Sequence, residues 1–307
     1  VSAESPVRAV VWDAAVAAAR AEGRPIVALE SSVLAQGLPV PANREAERRM
    51  CDAVVAGGAV PAVTAVVKGI PTLGLAGQDR ERFLARDGVA KVSARDLPVA
   101  IAQGRDGATT VAAALTLAAA GGIEVFATGG IGGVHRGAPF DESADLVELA
   151  RSPVVTVCAG AKSILDLPAT LERLETLGVT VLGFGTDEFP GFFTARTGLP
   201  VPARADTPEA IAQVVRASRV LGRPGGVLVV QPPPAPTALE ADVVDDAVRE
   251  ALGNAAAAGV RGTAVTPYLL AAVERATGGR SLAANLALLE ANAALAARIA
   301  VALAAEV

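Results

Sequence analysis

Histidine occurs once in these 307 residues, cysteine twice, methionine, tryptophan and tyrosine once each, and aromatics make up only 3%. Each scarcity removes a class of function. A lone histidine, His135, with no second His and no metal-binding Cys pattern gives no support for a zinc site. Few rings and a formal charge of -5 argue against a nucleic-acid surface, which needs stacking side chains and clustered Lys and Arg. The two cysteines, Cys51 and Cys158, stand far apart in apolar settings and read as reduced core residues. No signal or transit pattern precedes them, so the expected compartment is the cytoplasm. Long unbroken apolar runs are missing too. Hydrophobic residues make up 52% and mean hydropathy is +0.45, yet Gly, Pro or a charge interrupts each run short of the roughly 20 residues a spanning helix needs. The apolar excess, much of it alanine in helical spacing, implies a filled core with a buried oligomer interface. A small-molecule ligand is expected, with no nucleic-acid and no membrane partner.

What is present alternates between short apolar runs and helical periodicity. Helix is expected over 7–21, with Val10, Val11, Ala14, Ala15 and Ala18 on one face and Gly23 as its stop; a short buried strand follows at 25–29. Asn43 is placed to cap a helix over 44–56 that Gly57-Gly58 ends. Strands are expected at 61–67, 89–92, 123–127, 154–158, 179–184 and 226–231. Ser93 and Asp96 have capping-box spacing, and Gly107 to Thr110 opens a helix of small residues to Ala120. Further helices are expected at 78–86, 144–151, 168–177, 208–221, 239–258, 267–276 and 282–305. With no long linker or internal repeat, this order implies one domain over residues 1–307. Its expected fold is a three-layer α/β/α sandwich with a mixed, largely parallel central sheet.

Several positions carry chemistry. Val154 to Asp166 is a strand that passes through Ala159-Gly160-Ala161 and delivers Lys162. A half-buried amine at a strand end can lose its charge and become a nucleophile toward a sugar carbonyl, whereas on a surface turn it stays an ordinary ammonium. Glu30 ends the strand at 25–29, where sites of α/β sheets are built, against the plainer reading of a loop glutamate. Lys91 sits amid apolar neighbours on a strand and could equally face solvent. Thr109 and Thr110 at a helix start suit either a phosphate or ordinary capping. From Thr128 to Asp145 the chain reads TGGIGGVHRGAPFDESAD, with glycines that imply backbone held close to a ligand or at positive φ. The spacing is not that of a dinucleotide fingerprint. Asp141 and Asp145, four apart, offer carboxylates to a hard divalent cation, with helix capping by Asp141 or Ser143 as the competing reading. Asn285 and Asn292 in an alanine-rich helix need partners, and at least one of them is expected to face a ligand or a neighbouring element. The loop TDEFPGFF (Thr186 to Phe193) gathers three phenylalanines for a base pocket or a subunit interface.

Together these stretches resemble the pseudouridine-5'-phosphate glycosidase family. The resemblance rests on ALESSVLAQGLPVP (Ala28 to Pro41), GAVPAV (Gly58 to Val63), KVSARDLP (Lys91 to Pro98), GATTVAA (Gly107 to Ala113) and FATGGIGGVHRGA (Phe126 to Ala138). It continues through SADL (Ser143 to Leu146), VCAGAKSILD (Val157 to Asp166), TPYLL (Thr266 to Leu270) and TGGRSLAAN (Thr277 to Asn285). It implies cleavage of the C-glycosidic bond of pseudouridine 5'-phosphate to uracil and ribose 5-phosphate, reversibly, with Mn2+ or Mg2+, in a homotrimer. Carried over by position, Lys162 would be the nucleophile that forms an imine with the opened sugar and Glu30 the acid and base. Lys91, Val111, Thr128, Ser143, Ala144, Asp145 and Asn285 would contact substrate, and Asp141 would lie at the metal. Three departures stand out: Gln36 where the family has a histidine before glycine, a shortened loop between Gly137 and Asp141, and Gln231 where an asparagine is common. A different nucleoside-phosphate or sugar-phosphate lyase on this scaffold, or a non-catalytic phosphosugar-binding accessory protein, are the alternatives.

Overall fold

The structure is a computed structural model and describes residues 10–137, 140–260 and 265–305. The chain begins β1 (Val11–Trp12), α1 (Ala14–Ala21), β2 (Ile26–Leu29), α2 (Ala42–Ala56), β3 (Val60–Val67), β4 (Ile70–Leu73) and α3 (Gly77–Ala85). It continues β5 (Ala90–Val92), α4 (Leu97–Ala102), β6 (Gly107–Thr109), α5 (Val111–Gly121), β7 (Val125–Ala127), β8 (Val134–His135), α6 (Ala144–Arg151) and β9 (Val155–Cys158). Then follow β10 (Leu165–Asp166), α7 (Leu167–Thr176), β11 (Thr180–Phe184), β12 (Ala203–Ala205), α8 (Pro208–Val220) and β13 (Val227–Val230). Three helices close the chain: α9 (Ala241–Ala257), α10 (Val265–Ala276) and α11 (Arg280–Ala304).

The central sheet runs β1-β4-β3-β2-β7-β9-β13-β11-β12, with β6 attached to β3 and β5 to β6. From β3 to β12 along this path every neighbour pair is parallel. β3 pairs antiparallel with β4 and β6, which makes the sheet mixed at one side. The inner strands IVAL, VFA, VTVC and VLVV carry no alternation because helices cover both of their faces. One core cluster extends from Val16 to Ala300. The expected mixed, largely parallel α/β architecture in one domain is the architecture found.

Four local expectations change. Val11 and Trp12 form a strand beside β4, and the helix starts only at Ala14, where the Asp13 carboxylate accepts from Ala15 and Val16 N–H; residues 7–9 of the expected helix lie outside the described residues. Asn43 does not cap α2, which begins at Ala42. Its buried amide donates to the Leu34 and Leu84 carbonyls and ties α2 to two neighbouring segments. Gly107 to Thr109 is strand, and Thr110 is the cap of α5, accepting from Ala113 N–H. β4 and β12 carry too little periodicity to have been expected.

Helix α11 is long and apolar enough to cross a membrane by length and composition. Its burial pattern explains that composition: Leu288, Leu289, Ala293, Leu295, Ala296, Ala297 and Ile299 are all buried. Alanines at Ala293, Ala296, Ala297 and Ala300 let it approach closely, and a Cβ on Gly57 at the end of α2 would stand 2.5 Å from the Ala297 Cβ.

Candidate active site

Parallel pairing puts the carboxyl ends of β2, β7 and β9 side by side, and three functional side chains leave the sheet there. Glu30 follows β2, Thr128 follows β7, and Lys162 comes four residues after β9. The segments beyond β7 and β9 keep the parallel ladder going past the strands. Thr128 N–H donates to Val157 O, Ala159 N–H to Gly129 O, Ile131 N–H to Gly160 O and Lys162 N–H to Ile131 O, all at 2.9–3.1 Å. Lys162 is therefore held by backbone, not by a mobile loop. Gly160 makes the turn possible: its φ is +84°, and a Cβ there would lie 2.0 Å from Pro190 O.

A cavity of about 240 Å³ opens at this edge, lined by Glu30, Lys91, Thr128, Lys162, Phe192 and Asn285, with Ser32, Val33, Gln36, Gly37, Gly129, Gly130 and Leu270 completing it. Glu30 is 6% exposed and both of its oxygens are hydrogen-bonded: Ser32 Oγ donates to Oε2 at 2.6 Å and Thr128 Oγ1 donates to Oε1. Lys162 is half-buried. Lys91 lies on the outer strand β5, its side chain exposed, yet the cavity walls strip enough water from its ammonium to push its pKa below the usual lysine range. The charge on Lys162 pushes it further, while Glu30 and Asp145 oppose. The two amines thus stand within electrostatic reach, and the surface reading of Lys91 gives way to a place in the cavity wall.

The segment Ser143–Asp145 does not line this cavity. Ser143 caps α6, accepting from Asp145 N–H at 3.2 Å. Asp145 is buried, and its two oxygens accept from Ala112 N–H (2.9 Å) and Gly132 N–H (2.8 Å). It braces the start of α5, where Thr110 takes Ala113 N–H and Val111 N–H, the first of the helix, has no intrahelical partner. Gly132 is required there, since a Cβ would fall 2.3 Å from Ser143 Oγ. The glycines of the segment from Thr128 accommodate side chains such as Phe192 and Thr170 as well as a cavity wall, and Gly129 to Gly133 do so without positive φ.

Asp141 and Asp145 do not share a cation. Asp141 is exposed and pairs through Oδ2 with His135 Nδ1 at 2.9 Å, whereas Asp145 is committed to backbone. Among the described residues there is no group of three or more His, Cys, Asp or Glu able to hold a metal. Asp141 offers one carboxylate, a donor set that fits only an ion keeping most of its water shell. Residues 138–139 of the shortened loop lie outside the described residues.

Sequence reasoning gave Ser32 no role, although it stands two residues after Glu30. It also left Asn292 open between ligand and structure. The Asn292 amide donates to Thr128 O (2.8 Å) and Gly129 O (3.3 Å), and Gln231 Nε2 donates to Asn292 Oδ1 (2.8 Å), so α11 fixes the glycine turn from below. Asn285, two turns earlier on the helix, is the asparagine that faces the cavity. Of the TDEFPGFF loop, Phe192 reaches the cavity, and Phe189 and Phe193 are buried within the chain. Asn285 Oδ1 and Gln36 Oε1 are buried without a hydrogen-bond partner among the described residues.

The chain resembles known proteins along nearly its whole length. The family described as "Indigoidine synthase A like protein" matches residues 15–302. A pseudouridine-5'-phosphate glycosidase of Gemmatimonas aurantiaca is 69% identical over 281 residues, 92% of each chain. One of Herpetosiphon aurantiacus is 53% identical, covering 94% of this chain and 96% of its own. Among solved structures, the prealnumycin C-glycosynthase in complex with ribulose 5-phosphate superposes with TM-score 0.90 at 38% identity over 97% of both chains. An indigoidine synthase A-like protein of Thermotoga maritima matches with TM-score 0.89 at 36% identity, over 97% of this chain and 98% of its own. The chain belongs to the indigoidine synthase A-like family, the family of the pseudouridine-5'-phosphate glycosidases it matches.

Proposed function

We propose that the protein cleaves the C-glycosidic bond of pseudouridine 5'-phosphate, giving uracil and ribose 5-phosphate. The observation that carries this reading is the convergence on one cavity of Glu30 and Lys162, beyond the ends of β2 and β9, with Lys91 of β5. A carbon-linked base offers no leaving oxygen to protonate, so the two-carboxylate route of ordinary glycosidases does not serve. An amine that opens the sugar supplies the missing electron sink.

In this mechanism Lys162 Nζ, as the free amine, attacks C1'. The C1'–O4' bond breaks, and O4' takes its electron pair and a proton from Glu30. The new secondary ammonium returns a proton to the Glu30 carboxylate. Glu30 then protonates uracil C5 while the nitrogen lone pair forms C1'=N and the C1'–C5 bond breaks, releasing uracil. Water adds to the imine, and ribose 5-phosphate leaves as Lys162 recovers its amine. Thr128 and Ser32 orient Glu30 for both transfers. Lys91 and the Val111 N–H at the start of α5 are assigned to the phosphate, with Ser143, Ala144 and Asp145 acting on substrate through the helix start they hold. Asn285 contacts the base. Asp141 would hold Mn2+ or Mg2+ with its water shell, a group that would supply positive charge toward an anionic substrate; no step above passes through it.

Incubation with pseudouridine 5'-phosphate and Mn2+ tests this by uracil release. Lys162→Ala should abolish release, and borohydride should trap a ribose phosphate adduct on Lys162 of the wild type. No release by the wild type, or undiminished release by Lys162→Ala, overturns the mechanism. A second reading, chemistry on another carbon-linked ring with the same sugar phosphate, is favoured by the C-glycosynthase relative and its ribulose 5-phosphate; product analysis with alternative substrates distinguishes it. A homotrimer and a cytoplasmic location belong to the same proposal. Two free cysteines suit a reducing compartment, and light scattering tests the trimer.

A further inference from the structure

We propose that Gln36 is a specificity-determining residue that accepts the N1–H of the base and so makes the cavity select a carbon-linked over a nitrogen-linked nucleotide. The inference rests on the reading above, that pseudouridine 5'-phosphate occupies the cavity of Glu30 and Lys162.

Gln36 sits in a π-helical turn, Val33–Gly37, directly after the Glu30 and Ser32 pair. Leu38 N–H closes the turn on Val33 O at 3.1 Å. Its amide has one orientation only. Nε2 donates to Val89 O at 3.2 Å, and a carbonyl cannot donate in return, so Oε1 is the atom left over. That oxygen is buried and has no partner among the described residues, and its side chain lines the cavity. Asn285 Oδ1 is in the same condition on the same cavity, and the two residues also border the adjoining cavity of about 200 Å³. Two buried acceptors facing one cavity call for donors from a ligand.

The chemistry of the base supplies two. A uracil attached through C5 presents N1–H and N3–H on either side of C2=O, at the edge far from the sugar. A uracil attached through N1 presents N3–H on one side and only C5–H on the other. Whichever way the nitrogen-linked ring is turned, one acceptor stays unpaired, and a site built to hydrogen-bond a donor rejects an analogue that lacks it. The assignment within the pair follows from what each amide has free. Asn285 can offer acceptor and donor together and suits the N3–H and C4=O edge. Gln36 has spent its NH2 group on Val89 and offers an acceptor alone, which suits N1–H beside the non-polar C6–H.

The test compares kcat/KM for pseudouridine 5'-phosphate and its N1-methyl analogue, in which a methyl group replaces the N1 hydrogen and both carbonyls are kept, in the wild type, Gln36→Met and Gln36→Glu. Any difference in leaving-group chemistry cancels when the substrate ratios of the enzymes are compared. The wild type should favour the natural substrate by about tenfold or more beyond Gln36→Met, and Gln36→Glu, which keeps an acceptor, should retain the preference. An unchanged ratio in Gln36→Met overturns the proposal. Equal loss of preference in Gln36→Met and Gln36→Glu assigns the effect to the Val89 contact and overturns it as well. Absence of uracil release by the wild type defeats the functional reading itself and this inference with it, whereas release with an unchanged ratio defeats this inference alone.

Discussion

Thr128 Oγ1 donates a hydrogen bond to Oε1 of Glu30, across the boundary between two parallel strands that are 98 residues apart in sequence. The contact aims the carboxyl group into the cavity while Ser32 holds its other oxygen. Thr128→Val keeps the shape and removes the donor. A hydrogen bond to a charged group contributes about 1.5–3 kcal/mol, so kcat for uracil release should fall roughly 10- to 100-fold, with the overall fold intact by circular dichroism. An unchanged kcat would remove Thr128 from the positioning role.

Lys91 holds its proton less tightly in the folded protein than in the unfolded chain, first through desolvation and then through the charge on Lys162. Between that lowered pKa and the ordinary value of 10.5, the unfolded chain binds more protons than the folded one. Stability contributed by this group therefore rises with pH across that window. Lys91→Met should flatten the slope of urea-unfolding stability against pH there. Lys162→Met should move the Lys91 titration upward, followed by NMR of its ε-methylene; a titration that stays in place would leave burial as the only cause.

Asp145 takes two buried backbone N–H groups, from α5 and from the glycine segment. Asp145→Ala leaves both without an acceptor and should cost about 2–5 kcal/mol in urea unfolding. Asp145→Asn, whose amide can accept at only one of the two, should fall between. A loss under 1 kcal/mol, well below the usual cost of an unpaired buried donor, would mean that the site relaxes or hydrates.

Burial pushes the thiols of Cys51 and Cys158 up to about 12, with the Glu47 carboxylate adding to the effect at Cys51. The thiolate is the reactive form. Neither should react with Ellman's reagent at pH 8 in the native protein, and both should react in urea. Fast native labelling of Cys51, which is the less buried of the two, would show that α2 opens locally.

The strand-and-helix order was legible because the inner strands are apolar runs bounded by glycine and because parallel strands alternate with helices. Glu30 and Lys162 were legible for a related reason: each is the first ionisable group after a buried strand. Lys91 was ambiguous, since an edge strand shows the same sequence whether its outward side chain meets bulk water or a cavity wall. Asp145 misled. A carboxylate four residues from another looks like a cation site, and nothing local reveals that its oxygens reach backbone donors 33 and 13 residues earlier. Asn43 misled in the same way, as a good capping residue drawn instead into a tertiary bridge between Leu34 and Leu84. What sequence periodicity carries is the period of each segment; which long-range partner claims a polar group is decided by packing.

The clamp that Asn292 places on Thr128 and Gly129 has a consequence for biosynthesis. β2, β7 and β9 are made early, and the residues that flank them can pair as they emerge from the ribosome. The carbonyls of the glycine turn, however, wait for a side chain on the last long helix, and that helix also covers the three strands. A nascent chain halted before residue 292 would hold Glu30 and Lys162 without the brace that fixes the turn between them. The brace is therefore in place only after residues 280–304 have left the exit tunnel and docked.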